Sequence, residues 1–148
     1  MQSGVIDGAA VMILRDLFSK QALDSEPWER FRDGIEIRWI YRTPSGCQAA
    51  LLRYAPGASL ARHLHVGYEH ILVLRGSQID DNGEHSAGTL LIHAPGTSHA
   101  ITSPNGCIVL AVWEKPVHVW EPTDRGDVDP LREGEAPIRL SSSKSAEP

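Results

Sequence analysis

The chain has 148 residues and a formal net charge of −5, with 41% hydrophobic and 22% charged residues. That length and balance suit one globular domain with its own core, and they exclude a disordered or membrane-embedded class. An acidic chain with no clustered Lys/Arg face also offers nucleic-acid phosphates no partner.

Residues 1–28 mix apolar and charged positions without a clear period and read as an N-terminal arm. The apolar run from Ala9 to Leu14 is broken by Arg15 and Asp16, follows no basic region and closes on no cleavage site. No stretch approaches the length of a transmembrane helix, so a cytoplasmic protein is expected.

From residue 29 to 121 the pattern changes. Ile35, Ile37, Trp39 and Tyr41 alternate with Glu36 and Arg38, the period of two of a half-buried strand. Ile71 to Leu74, Thr89 to Ile92 and Ile108 to Val112 read as more deeply buried strands. Turn signals recur between them at Thr43-Pro44-Ser45-Gly46, Pro56-Gly57, Asp80-Asp81-Asn82-Gly83, Pro95-Gly96 and Pro104-Asn105-Gly106. Short strands at regular spacing predict an all-β sandwich or barrel. Residues 122–148 are polar, end near Ser141-Ser142-Ser143 and read as a tail. Cys47 and Cys107 are too few for a disulfide framework or a Cys-rich zinc site.

The chemistry-bearing segment runs from Gly57 to Gly76. His63 and His65, two residues apart on a strand, project from the same face, and Glu69 returns on the next strand. Two imidazoles and a carboxylate arriving on one side form a facial ligand set for a divalent metal ion. His99, after the Pro95-Gly96 turn, offers a fourth ligand. His70 should point to the opposite face, and His85 and His118 carry no signal of their own. The substrate-pocket candidates are Arg53, whose guanidinium could hold a carboxylate, Tyr68, His93, and the aromatic residues Trp39 and Trp113, with Trp120 a further wall.

Gly57 to Gly76 fits the first cupin motif at every position: Gly, five residues, His-x-His, three residues, Glu, six residues, Gly. Gly88, Gly96 and His99 can be placed on the second motif, with two departures. Six residues rather than five separate Gly88 from Pro95, which is adjacent to Gly96, and Ser103 stands where Asn is usual. Within cupins, the stretches Leu52 to Gly57, Asp80 to Gly83, Ala87-Gly88, Pro95 to His99 and Gly106-Cys107 resemble the cupin domain of ChrR-type anti-sigma factors. The resemblance implies a double-stranded β-helix (jelly-roll) barrel, usually dimeric, holding one divalent metal ion through His63, His65, Glu69 and His99.

Two functions follow from it. One is a small-molecule metalloenzyme of dioxygenase type acting on a diketone or a keto- or hydroxy-carboxylate. The other is a non-catalytic metal-dependent sensor or regulatory domain. Sigma-factor binding by the ordinary route is not expected, because the sequence has no Cys-x-x-Cys pair. Iron, zinc, manganese and nickel all remain open as the metal, since three imidazoles and a carboxylate suit each of them.

Overall fold

The computed structural model describes residues 11–25 and 27–119. Its strands are β1 (Glu29–Arg32), β2 (Ile35–Arg42), β3 (Gln48–Tyr54), β4 (Ala58–Leu64), β5 (Glu69–Asp80), β6 (Gly83–Ser86), β7 (Leu90–His93), β8 (Ser98–Ser103), β9 (Cys107–Trp113) and β10 (His118–Val119). All pairings are antiparallel, and they link the strands in the order β1-β2-β3-β9-β5-β8-β4-β10, with β6 and β7 also paired to β5. The sheet curls on itself as a jelly roll, the all-β architecture the turn spacing predicts.

Alternation along each strand sorts residues onto two faces. Ile37, Leu52, Tyr54, Ile71, Val73, Ile101 and Val109 fill the interior. Leu51, Leu74 and Ile108 point the other way, yet they are buried too. This is why β5 and β9 read as continuous apolar runs: their sheet is covered on both sides. Thr89 to Ile92 reads the same way in sequence, but on β7 Leu90 and Ile92 are more than half exposed, because β7 lies off the covered sheet and, among the described residues, pairs only with β5.

The outer cover is the N-terminal arm. Its one helix among the described residues, α1 (Lys20–Asp24), is capped by Ser19, whose hydroxyl accepts from the Ala22 amide at 3.1 Å. Leu23 is fully buried, and Met12, Leu14, Leu17 and Trp28 pack with it on the outer face. The last helical turn is tied down by side chains. Trp28 Nε1 and Arg38 Nη2 both donate to the Leu23 carbonyl, at 3.1 and 2.8 Å.

Two β-bulges shape the interior. The first lies in β4 between Leu60 and His63, and the second in β5 between Val73 and Arg75. An extra residue reverses the parity of everything beyond it. Ala58 and Leu60 therefore share the inner side with His63, and Glu69, Ile71 and Val73 share it with Gln78 and Asp80.

Candidate metal centre

His63 on β4 and His99 on β8 are directly paired across the ladder, so their side chains leave the same face side by side. His65 follows the end of β4, its backbone N–H donating to the Thr97 carbonyl at 2.9 Å. Glu69 opens β5 with Trp113 of β9 opposite it on one side and His93 of β7 on the other. The ligand atoms of His63, His65, Glu69 and His99 all lie within 4.8 Å of one another, and all four residues are buried.

Each imidazole is oriented by what holds its Nδ1. His63 Nδ1 lies 3.1 Å from the Ala61 carbonyl, which can only accept, so His63 donates there and its Nε2 carries a lone pair. The Thr97 hydroxyl donates to the Ala94 carbonyl at 2.7 Å, which leaves it to accept from His65 Nδ1 at 2.9 Å. His99 Nδ1 donates to Asp80 Oδ2 at 2.9 Å. Three Nε2 lone pairs thus converge with a carboxylate. His63 Nε2 faces His99 Nε2 at 3.0 Å, and His65 Nε2 stands 3.0 Å from Glu69 Oε1, where neither atom has a hydrogen-bond partner among the described residues. Lone pairs pressed together in a buried site repel one another unless a cation lies among them.

Protonation is a poor substitute for that cation at His63. Burial pushes its imidazole down to about 4, although the Glu69 charge opposes the shift. Burial also lowers His99, with Asp80 acting in the opposite direction. For Glu69, burial works to raise the carboxyl, but the neighbouring His65 and His93 imidazoles prevail and hold it well below the usual carboxylate range. Three neutral imidazoles and one carboxylate are the donor set of a divalent metal site. The buried cluster could therefore hold a metal ion.

Several of the supporting residues escaped the sequence reading. Asp80 accepts from His85 Nε2 at 2.8 Å and from the Asn82 amide at 2.8 Å while it holds His99. Those bonds outweigh burial and lower its carboxyl. His85, which showed no signal in sequence, thus reaches the cluster through Asp80. Trp113 Nε1 donates to Glu69 Oε2 at 2.6 Å, leaving Oε1 to the histidines. His93 Nδ1 stands 3.1 Å from that same Oε1, beside the cluster, and its ring stacks on His65 at 4.7 Å.

The pocket candidates divide. Trp113, with His63, Glu69 and Tyr54, lines a small cavity against the cluster. Trp39 packs on Trp113 with ring centroids 6.3 Å apart. Arg53 is turned away, because Leu52 and Tyr54 on either side of it face inward. Its guanidinium instead pairs with Glu36 at 2.6 Å and lies over Trp28 on the outer face. Tyr68 is 46% exposed on the loop before β5. His70 is half-buried and alternates away from Glu69, as strand geometry requires. Trp120 lies outside the described residues.

Residues 20–118 match the family described as the ChrR Cupin-like domain. The chain belongs to that family. No curated protein matches the sequence. Among solved structures, a chain of the Rhodobacter sphaeroides complex of SigE with the anti-sigma ChrR is 26% identical with a TM-score of 0.57. That match covers 62% of this cupin and 51% of that chain, so this cupin spans about half its length. The acetylacetone dioxygenase of Acinetobacter johnsonii is 15% identical with a TM-score of 0.64, covering 83% and 87% of the two chains. An RmlC-like cupin from Ralstonia eutropha is 18% identical with a TM-score of 0.61, covering 84% and 76%. The last two likenesses show a shared fold.

Proposed function

We propose that this cupin is a metal-dependent enzyme of dioxygenase type, acting on a small diketone or a keto- or hydroxy-carboxylate. The metal ligands are His63, His65, Glu69 and His99. The observation that carries the reading is the pair of imidazole lone pairs of His63 and His99 at 3.0 Å, in a buried cluster that also forms one wall of a cavity. A site that opens onto a cavity can meet a substrate, as a purely structural metal site need not.

A divalent ion held by these residues supplies Lewis-acid polarisation of substrate oxygens or, as iron(II), chemistry with O₂. The protein's own contribution is to position and to exclude. Asp80, Thr97 and the Ala61 carbonyl fix the three ring orientations, and Trp113 fixes Glu69. Leu52, Ile71, Ile101 and Val109 keep the cavity wall apolar. Tyr54 keeps its phenol proton, since burial raises it far above its ordinary value.

A second reading is favoured by the 26% identity to a chain of the SigE–ChrR complex. In it the same cluster reports metal or ligand occupancy to a protein partner, without turnover. In either reading we place the protein in the cytoplasm; among the described residues no helix is long and apolar enough to cross a membrane. We also read it as a homodimer. The apolar side chains of Leu90 and Ile92, more than half exposed on β7, suit a second copy, and light scattering tests this.

The deciding experiment is elemental analysis of protein purified without chelators, beside a His63→Ala/His65→Ala variant, followed by O₂ uptake across a panel of diketones, β-keto amides, keto acids and hydroxy acids. Near-stoichiometric metal lost in the variant, with O₂ consumed by the iron-loaded protein, supports the enzyme. Metal without turnover of any panel member supports the sensor, and no metal in the wild type overturns both.

A further inference from the structure

The cavity beside the cluster has a volume of about 30 Å³, room for roughly two or three water-sized groups. Leu60, Ile71, Ile101, Val109 and Val117 form much of its wall. Into this apolar surface the fold places Gln78, which is 0% exposed. Neither its Oε1 nor its Nε2 has a hydrogen-bond partner among the described residues.

A buried primary amide with both ends unpaired is costly, and an apolar side chain of the same shape would fill the position without that cost. The β5 bulge makes the placement deliberate. Without the extra residue, Gln78 would alternate to the outer face with His70; with it, Gln78 returns to the inner face with Glu69 and Asp80. Buried polar groups left unsatisfied in the free protein are what give a site strong discrimination, because only a ligand that completes them avoids the penalty.

The chemistry of the missing partner can be read from the amide and its surroundings. An amide presents a donor and an acceptor, so its complement is a neutral group that also carries both, such as an amide or a hydroxyl. A carboxylate only accepts, leaving Oε1 unpaired. No Lys or Arg is among the described lining residues to neutralise one. A methyl group would leave both ends unpaired.

We propose that Gln78 is the specificity-determining residue of the cavity: the cavity takes only the uncharged hydrogen-bonding end group of a compact 1,3-dioxygenated substrate, which Gln78 receives, while the substrate's oxygens face the cluster. This rests on the reading that the cluster holds a metal ion, and among 1,3-dioxygenated compounds it favours β-keto amides over the diketones and the keto- or hydroxy-carboxylates.

The test uses the full chain loaded with cobalt(II), whose visible spectrum reports chelation, and two probes of the same shape. Acetoacetamide ends in NH₂ where pentane-2,4-dione ends in CH₃. Gln78→Met is expected to weaken acetoacetamide about tenfold or more and to leave pentane-2,4-dione within about twofold, so differences in chelating strength cancel. Equal changes for the two probes overturn the proposal, as does a wild type whose spectrum neither probe perturbs. The melting temperature of ligand-free Gln78→Met supplies a second readout. It should match or exceed that of the wild type; a fall of several degrees, or failure to fold, shows that the amide is satisfied in the free protein and also overturns the proposal. Absence of bound cobalt in the wild type would instead sink the metal reading itself.

Discussion

His63 and His99 occupy directly paired positions on β4 and β8 and turn their Nε2 atoms toward each other at 3.0 Å. Both Nδ1 atoms are committed elsewhere, so the contact stabilises the fold only with a cation present. Metal should therefore raise stability, by about 2.7 kcal/mol when free ion is at one hundred times its Kd. A melting curve with and without EDTA checks this, and His99→Ala should abolish the difference.

Asp80 acts through His99, not as a ligand in the tetrad. Asp80→Asn removes the charge that orients the ring and raises its basicity, so metal affinity should fall about 10–100-fold with the fold intact. Competition with a chromogenic chelator measures the loss, and circular dichroism separates it from unfolding.

Trp113 donates to Glu69 Oε2 at 2.6 Å from the directly opposite position on β9. Trp113→Phe keeps an aromatic ring against Trp39 but leaves one oxygen of a buried carboxylate without its donor. The expected cost is about 1.5–3 kcal/mol, read from urea denaturation of metal-free protein. Trp39→Phe is the control, since Trp39 reaches the site only by packing on Trp113.

Gly76 closes the ligand-bearing motif for a reason unrelated to metal. Its φ of +74° suits glycine, and a Cβ there would collide with the Gly106 carbonyl in the turn between β8 and β9. Gly76→Ala should cost roughly 2–4 kcal/mol in thermal or urea denaturation while metal stoichiometry of the folded fraction is retained.

Cys107 is buried on β9, and burial pushes its thiol up to about 11, with Ser103 partly opposing. At pH 8 it should ignore a thiol reagent in the folded protein, so that at most one thiol titrates before unfolding and two after. Its ordinary value is 9.0, so between about pH 9 and pH 11 the unfolded chain releases a proton that the folded chain keeps. Its contribution to stability is therefore constant below pH 9 and falls as pH rises through that window. Cys107→Ser should flatten that part of the stability profile.

The tetrad was legible in the sequence because each of its relationships is local or nearly so. His63 and His65 are two residues apart, Glu69 follows by a short turn, and His99 stands a fixed offset beyond a Pro-Gly turn. Strand periodicity likewise gave the alternation of β2 as far as Trp39, beyond which a bulge carries Tyr41 to the outer cluster, and the buried character of β5 and β9 but not of β7. The Trp113 bond was not legible because it depends on the long-range pairing of Glu69 with Trp113, and Gln78 and Asp80 were not legible for a reason they share. Counting by twos from Glu69 places Gln78 and Asp80 on the outside, and only the bulge between Val73 and Arg75, defined by pairing with β9, brings them in.

Arg53 shows the same limit from the other side. Its type suits a substrate carboxylate, but its parity on β3 and the arrival of Trp28 and Glu36 on the outer face commit it elsewhere. The amino-acid sequence by itself determined the strand content, the four converging candidate ligand residues and the apolar interior, since these follow from residue type and short-range spacing. Tertiary structure alone decided which residues orient the ligands, which line the cavity and what the cavity lacks, because strand register and bulges are settled by long-range pairing between β4, β5, β8 and β9.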